Sequence, residues 1–195
     1  MFSLYPCAAG CGKPSLSGSK TCAQHSANPE LEAGRLIHYI QSQTSVKDLV
    51  CNGLHFSSID FSHRRYFGCS FIDCTFSLCV FTKSFFRMNF FDFSHFSECD
   101  FSKTDFQFTS FAGSTFQDCT FEGSELVHVN FTGSQIYDTT FNDSNLYNSR
   151  FINTKIQSSD FIDCNVKKTF FIASKHEQVS FKSSNTAEAV FELEQ

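Results

Sequence analysis

Residues 71–101 read FIDCT-FSLCV-FTKSF-FRMNF-FDFSH-FSECD-F, so phenylalanine returns at nearly every fifth position. The register runs from Phe56 to Phe191, and of its 28 successive positions 20 are Phe, six are Tyr, Leu, Ile or Val, and two (His176 and Thr186) are polar. Two residues before the large residue, 24 of the 28 units carry Ala, Cys, Ser, Thr or Val. A period of five fits neither the 3.6-residue period of a helix nor the two-residue period of a strand. It predicts short extended segments joined by tight turns.

The turns have their own signal, two positions after each large residue. All five glycines beyond residue 34 lie there, together with seven Asp or Asn residues: Gly53, Gly68, Gly113, Gly123, Gly133, Asp73, Asp118, Asp138, Asp143, Asn148, Asn153 and Asp163. These residue types tolerate positive φ, which tight turns require. We therefore expect a corner in every unit.

With these features the chain resembles the pentapeptide-repeat family, in a Phe-centred version over about residues 46–191. The resemblance implies an all-β fold, a right-handed four-sided parallel β-helix in which four units close one coil. The small and large residues of each unit would point inward, and 28 units would make about seven coils. Cys79, Cys99 and Cys119 would then form one interior column, which we interpret as buried thiols.

Stacking at an interval of 20 residues has a visible consequence in the sequence. Two opposite columns are Phe throughout, from Phe61 to Phe181 and from Phe71 to Phe191. The other two columns change from aromatic to aliphatic residues after Phe121. This alternation favours four sides over three.

The N-terminal segment, residues 1–27, has the spacing C-x3-C-x10-C-x2-H, formed by Cys7, Cys11, Cys22 and His25. Three thiolates and one imidazole suit tetrahedral Zn²⁺. The spacing resembles small zinc fingers of bacterial and phage proteins. Because the protein would fill all four positions, the predicted zinc is structural and has no site for an activated water. The alternatives are unligated cysteines or a disulfide.

Residues 28–45 are predicted to be a capping helix and linker before the repeat domain, which we assign to 46–195. Asn28 and Pro29 are typical of a helix start, so we expect a helix from Pro29 to about Gln43. Its apolar stripe is predicted to cover the open end of the first coil and comprises Leu31, Ala33, Leu36, Ile37 and Ile40. Thr186–Gln195 is expected to cap the other end.

Composition limits the possible functions. The net charge of −5 argues against nucleic-acid binding through the overall field. The sequence has no secretory signal and no apolar run long enough to span a membrane. The ten cysteines are therefore interpreted as metal ligands and reduced core residues of a cytoplasmic protein.

The outer positions suggest two surfaces but no catalytic group, because a convex rod lacks the concavity that an enzyme needs. The first surface is an aromatic patch for a protein partner or for self-association: Phe85, Phe90, Phe93 and Phe108. The second is an acidic belt: Asp92, Glu98, Asp100, Asp105, Asp118, Glu122, Glu125, Asp138 and Asp143.

The leading hypothesis is a non-catalytic scaffold that presents a rigid surface to a protein. The acidic belt is similar to that of the pentapeptide proteins of quinolone resistance, which implies a DNA mimic that binds DNA gyrase as the alternative. A nucleic-acid adaptor acting through the zinc finger is a third possibility, although Lys13 and Lys20 are its only nearby bases.

Overall fold

Every repeat unit turns the chain through a corner in the left-handed backbone region. The computed structural model describes residues 5–192. In it, every fifth residue from 48 to 183 has positive φ. Five of these residues are glycine and 23 are other amino acids. The predicted corners are confirmed. Corners with positive φ also occur at positions with a bulky residue, such as Phe93 and Phe108.

Four units close one coil, and residues 20 apart pair in parallel on the next coil. The result is a parallel four-sided β-solenoid of about seven coils, which confirms the predicted fold class. We number its sides walls 1 to 4 in chain order. Wall 1 contains five strands: β1 (Ser45–Lys47), β3 (Arg65–Phe67), β5 (Phe85–Arg87), β7 (Asp105–Gln107) and β9 (Glu125–Val127).

Wall 3 contains the other seven strands. These are β2 (His55–Ser57), β4 (Thr75–Ser77), β6 (His95–Ser97), β8 (Thr115–Gln117), β10 (Gln135–Tyr137), β11 (Lys155–Gln157) and β12 (Lys175–Glu177). Walls 2 and 4 are held by isolated bridges, such as Ser70 to Phe90 on wall 2 and Asp60 to Val80 on wall 4. Walls 2 and 4 therefore face opposite directions.

The interior is a stack of aromatic rings. Rings 20 residues apart lie nearly parallel, with centroid separations from 4.4 Å (Tyr66 to Phe86) to 5.3 Å (Phe111 to Phe131). Rings on neighbouring walls meet edge to face, for example Phe96 and Phe101 at 5.4 Å and 70°. Both geometries are favourable for aromatic pairs, and the rings from Phe56 to Phe171 are buried.

The small interior residues satisfy the polar groups beside those rings. Ser94 Oγ donates to the Phe71 carbonyl (2.8 Å) and accepts from the Cys74 amide (3.0 Å). Asn89, an exception to the small-residue pattern, makes the same two bonds with its amide group, to the Tyr66 carbonyl and from the Cys69 amide. The pattern thus selects for a short hydrogen-bonding group as well as for small size.

A helix caps the N-terminal end. The first helix, α1 (Pro29–Ser42), begins at Asn28, whose side chain accepts from the Leu31 amide (3.0 Å). It buries Ala33, Leu36 and Ile40 in the same cluster as the first coil. Leu31 was wrongly included in the buried stripe: it lies nine residues, or half a turn of the helical wheel, from Ile40, and it is 71% exposed.

Arg64 is another exception to the small-residue pattern. It stands where a small residue is expected, and its guanidinium donates to the carbonyls of Ile40 and Gln41 at the C-terminal end of α1. The last carbonyls of a helix lack the usual partner four residues on. The Ile40 carbonyl also accepts from the Gln43 amide (3.1 Å), and the added bonds from Arg64 fasten the cap to the solenoid.

At the other end the described chain closes with a 3₁₀ helix at Thr186–Glu188. His176 and Phe191 are exposed there, and residues 193–195 of the predicted C-terminal cap lie outside the described residues. No helix within residues 5–192 is long and apolar enough to cross a bilayer.

If stacked rings hold the coils together, replacing one ring should lower the stability of the protein. Phe106 stacks on Phe86 at 4.9 Å and lies below Leu126 in the same column. We expect Phe106→Ala to lower the free energy of unfolding by about 3–5 kcal/mol. Phe106→Leu, which repeats the residue that the next coil uses, is the matched control and should cost about 1.5 kcal/mol or less. Urea unfolding measures both, and equal losses would contradict the stacking argument.

Candidate metal centre and interaction surfaces

The four predicted metal ligands lie together at the start of the chain. The ligand atoms of Cys7, Cys11, Cys22 and His25 all lie within 4.8 Å of one another. Cys22 Sγ is 3.8 Å from Cys11 Sγ and 3.4 Å from His25 Nδ1, and Cys7 Sγ is 3.7 Å from His25 Nδ1. The 3₁₀ helix Ala23–His25 sets the short separation of Cys22 and His25.

These distances suit a tetrahedral ion. With metal–sulfur bonds of about 2.3 Å and metal–nitrogen bonds of about 2.0–2.1 Å, neighbouring ligand atoms should be about 3.5–3.8 Å apart. The three edges given above, from 3.4 to 3.8 Å, are close to this range. The residues present can therefore hold one metal ion.

The Cys7 thiol of this site ionises more readily than buried thiols of the solenoid such as Cys69 and Cys74. The Cys22 amide donates to Cys7 Sγ (3.4 Å) and lowers the pKa of the Cys7 thiol to about 6. Burial instead raises the pKa of Cys69 and Cys74 to about 12. Because a metal binds thiolate, the lowered pKa of Cys7 suits a metal ligand.

The segment around the site, residues 5–27, is joined to the first coil, and we call it the knuckle. The Ser17 amide donates to the Val50 carbonyl (3.0 Å), and the Val50 amide donates to Ser17 Oγ (2.8 Å). Leu16 is buried in the common core, and Lys13 pairs with Asp73 at 3.7 Å. The knuckle is thus an extension of the solenoid end.

A groove of about 750 Å³ separates the knuckle from the corner between walls 2 and 3. Its lining is largely apolar, with Pro14 and Ala23 on the knuckle side and Ile72 and Phe93 on the solenoid side. His95 adds a polar edge. This volume is in the range of ligand and peptide sites.

The four predicted aromatic residues do not form one patch. Phe85 lies on wall 1, where the Arg65 guanidinium sits 5.2 Å from its ring centroid, and Phe90 lies on wall 2. Both are half-buried. Phe93 and Phe108 occupy corners on either side of wall 2, and they are 63% and 50% exposed.

The corners reveal two further residues that the sequence reasoning missed. Leu78 and Met88 also have positive φ and are 52% and 51% exposed. With Phe93 and Phe108 they place four bulky apolar side chains at corners between residues 78 and 108. Their slot, two positions after the large residue, was visible in the sequence.

The nine acids of the predicted belt do not form a belt either. Six lie on wall 4 and its corners, whereas Asp92 is on wall 2, and Asp105 and Glu125 are on wall 1. Burial raises the pKa of Asp105. Wall 4 and its corners also contain three acids outside the predicted belt: Asp60, Asp160 and Asp163. We call wall 4 with its corners the acidic wall, and it has nine carboxylates and three lysines. Its acids are Asp60, Glu98, Asp100, Asp118, Glu122, Asp138, Asp143, Asp160 and Asp163, and its bases are Lys83, Lys103 and Lys182.

Opposite the acidic wall, wall 2 is nearly uncharged. We call it the neutral wall. Between its terminal rows at Val50 and Val190 it has six rows: Ser70–Ile72, Phe90–Asp92, Ser110–Ala112, Asn130–Thr132, Arg150–Ile152 and Phe170–Ile172. Its corners carry Asp48, Asp73 and Lys168. Asp92 and Arg150 are the charged residues of these rows. The Phe93 ring lies over Gly113 at one corner, where a Cβ would be 2.7 Å from it.

Comparison with known families agrees with this architecture. The model for pentapeptide repeats in eight copies matches residues 94–133, and the model for the pentapeptide repeat region matches residues 114–191. Together they span half of the chain. The chain belongs to the pentapeptide-repeat family. No curated protein sequence matches it.

Solved structures show the same fold at low identity. Two trypsin-treated variants of QnrB1, a plasmid-mediated fluoroquinolone resistance protein, align with 72% of this chain. One has a TM-score of 0.56 at 14% identity and 81% coverage of that chain. The other has a TM-score of 0.52 at 16% identity and 83% coverage of that chain. A pentapeptide repeat protein of the Arabidopsis thaliana thylakoid lumen covers 48% of this chain and 61% of its own, at 20% identity and a TM-score of 0.38. The two QnrB1 likenesses establish the fold alone.

We expect the purified chain to carry one zinc ion, measured by elemental analysis. Cys22→Ser should abolish binding, because it removes one of the three thiolate ligands. Cys79→Ser removes a buried solenoid thiol and should leave the metal content unchanged. Loss of metal from both variants, or from neither, would contradict this assignment.

Proposed function

We propose that this protein is a non-catalytic, cytoplasmic scaffold that presents a rigid surface to a protein partner. The observation that carries the proposal is the set of bulky apolar residues at left-handed corners. An L residue with a side chain costs about 1–2 kcal/mol in this backbone region, and elsewhere many corners carry Gly, Asn, Asp or Ser. Three of these corners, at Met88, Phe93 and Phe108, border wall 2 and disfavour both folding and solubility. A contact with a partner would explain why they are present.

The surroundings of Phe93 support the same function. Its ring forms one side of the groove beside the knuckle and also borders the neutral wall. Phe108 stacks on His128 at 4.8 Å on the opposite corner of that wall. Aromatic anchors at the edges of a flat, weakly charged surface are typical of protein interfaces.

The chemistry of the described residues supports a non-catalytic role. Within residues 5–192, the cluster of metal-binding side chains is the one in the knuckle, where the protein supplies four ligands. We propose that its ion is zinc and that it stabilises the knuckle, because three thiolates and an imidazole leave no position for substrate. All ten cysteines are free, which supports a reducing compartment.

The proposal is tested by a variant that removes the aromatic side chains at the corners without lowering the stability of the fold. Phe93→Asn with Phe108→Asn places a residue that tolerates positive φ at each corner. We expect an equal or higher melting temperature together with loss of the protein partner from affinity capture analysed by mass spectrometry. Leu78→Asn is the matched control, because it changes an equivalent corner beside the acidic wall and should retain the partner. A partner that the double variant still captures would refute this surface.

The acidic wall supports a second candidate, a DNA mimic that binds DNA gyrase. Glu98, Asp118 and Asp138 form one column at its edge, and Gln117 Nε2 donates to both aspartates at 2.9 Å. Rows of carboxylates at the strand spacing of about 4.8 Å could occupy a basic DNA-binding groove. This candidate also agrees with the fold that the chain shares with QnrB1.

A supercoiling assay tests the second candidate. We expect the wild type to inhibit DNA supercoiling by gyrase, and Asp118→Asn with Asp138→Asn to weaken inhibition about tenfold. Asp105→Asn with Glu125→Gln removes the same charge from wall 1 and should inhibit like the wild type. No effect of the wild type at the highest soluble concentration would eliminate gyrase as the partner.

A nucleic-acid adaptor is less well supported. Lys13 is paired with Asp73 on the solenoid, and Arg35, which contacts the knuckle at Ser17, is paired with Glu32. Lys20 is the other nearby base. One free lysine neutralises too few phosphates for appreciable affinity.

A further inference from the structure

One part of wall 1 is basic, although the chain as a whole is acidic. Lys47, Arg65 and Arg87 lie on the outer face of its first three strands. Lys83 and Lys103 occupy the adjoining corner between walls 4 and 1. We call these five residues the basic patch. All five are exposed, and none of them belongs to an ion pair within residues 5–192.

The acids around the basic patch lie at its edges. Asp48 is at the corner with wall 2, and Asp105 is on the coil that follows Phe85. On wall 4, the positions next to the patch carry the uncharged residues Thr82 and Ser102. The acids of the same coils lie nearer the opposite corner of wall 4: Asp60, Glu98 and Asp100. Exposed charges more than about 8 Å apart are largely screened at physiological salt, so the patch attracts anions locally.

Two aromatic rings hold one cation of the patch in place. The Arg65 guanidinium carbon lies 5.5 Å from the ring centroid of Phe67 and 5.2 Å from that of Phe85. The two ring centroids are 5.6 Å apart. A guanidinium is attracted to the face of an aromatic ring. Contact through its face leaves the N–H groups at its edge able to bind phosphate in bidentate geometry.

An open hollow of about 670 Å³ adjoins these rings at the beginning of wall 1. It is lined by Arg65 and Phe67 together with Thr44, Ser45 and Lys47. The hollow therefore combines an aromatic ring, hydroxyl groups and two cations. A nucleobase matches this lining, because every base has a flat face that stacks on aromatic rings and guanidinium groups and is attached to an anionic backbone.

We propose that the basic patch and this hollow bind single-stranded nucleic acid. A base stacks on Phe67, and backbone phosphates contact Arg65, Arg87 and the corner lysines. The patch extends over four coils, about 14 Å along the axis, so the site holds a few nucleotides. An acidic peptide would neutralise the cations but leave the aromatic hollow unused, and the bases of a duplex are not available for stacking. The inference goes beyond the proposed function, because its residues belong neither to the knuckle nor to the surface at Phe93 and Phe108.

Fluorescence anisotropy of labelled oligonucleotides with the full chain measures this binding. The probes are single-stranded oligo(dT) and oligo(U) and a DNA duplex of the same length. We expect both single strands to bind, and the duplex to bind at least tenfold more weakly. Neutralisation of about four phosphates predicts that raising the salt from about 50 to 200 mM weakens single-strand binding about 50-fold. No binding of either single strand at the lower salt, or equal binding of the duplex, overturns the inference.

Charge variants locate the site. Arg65→Gln with Arg87→Gln should weaken binding at least tenfold and reduce the slope of log affinity against log salt by about 1.4, for two phosphate contacts. Lys155→Gln with Lys175→Gln is the matched control. It removes the same charge from wall 3, where Lys155 Nζ also lies 5.1 Å from an aromatic ring centroid, that of Tyr137. The control should bind like the wild type, and equal losses from the two double variants would refute the site.

Phe67→Leu tests the stacking contact, because leucine keeps an apolar side chain but has no ring. It should weaken single-strand binding about fivefold or more and leave the salt dependence unchanged. If an oligoglutamate peptide binds as tightly as oligo(dT) and neither responds to Phe67→Leu, the patch serves an acidic protein and the inference is refuted. Circular dichroism checks folding. If the arginine variant does not fold, Lys83→Asn with Lys103→Asn, at corners that tolerate Asn, should show the same reduction of the salt slope.

Discussion

The fit of one aromatic ring on the ring 20 residues earlier is the contact on which the rest of the structure depends. Parallel strands lie about 4.8 Å apart, and the observed ring separations of 4.4 to 5.3 Å are close to that spacing and favourable for stacking. A ring column therefore fixes the rise of the coil. Once the rise is fixed, the corners, the four walls and the alignment of outer residues into columns follow from the sequence.

The fold could be predicted because its information is periodic and local. The five-residue period predicts the interior, and the residue two positions later predicts the corner, as at Gly113 and Asp138. The knuckle ligands were equally visible, because Cys7, Cys11, Cys22 and His25 follow a spacing set by metal geometry. The groove was not visible, since it depends on how Leu16, Ser17 and Lys13 dock on the first coil, and nothing in a linear pattern encodes that packing.

The surfaces were predicted poorly for a different reason. The acidic belt grouped residues that are close in the chain, yet neighbours on the outside of a solenoid are 20 residues apart. Asp100 and Asp105 are five residues apart and lie on walls 4 and 1, whereas Asp100 and Asp160 share a wall. Applied to the outer positions, the 20-residue interval that assigned Phe61 and Phe81 to one interior column would have separated the acidic wall from the neutral wall.

A filled interior places the function of this protein on its exterior. The buried ring columns occupy the inside of the coils, so sequence variation that does not affect folding is confined to the outer positions and the corners. Each coil contacts only its neighbours, and a substitution on one wall leaves the chemistry of the opposite wall unchanged. Walls 2 and 4 can therefore serve separate partners, because the rows of wall 2 carry few charges and wall 4 is acidic. Bulky side chains at the corners, such as Phe93, enlarge the surface of a flat wall that a partner can contact. The free energy of that contact would offset the unfavourable backbone conformation at the corner.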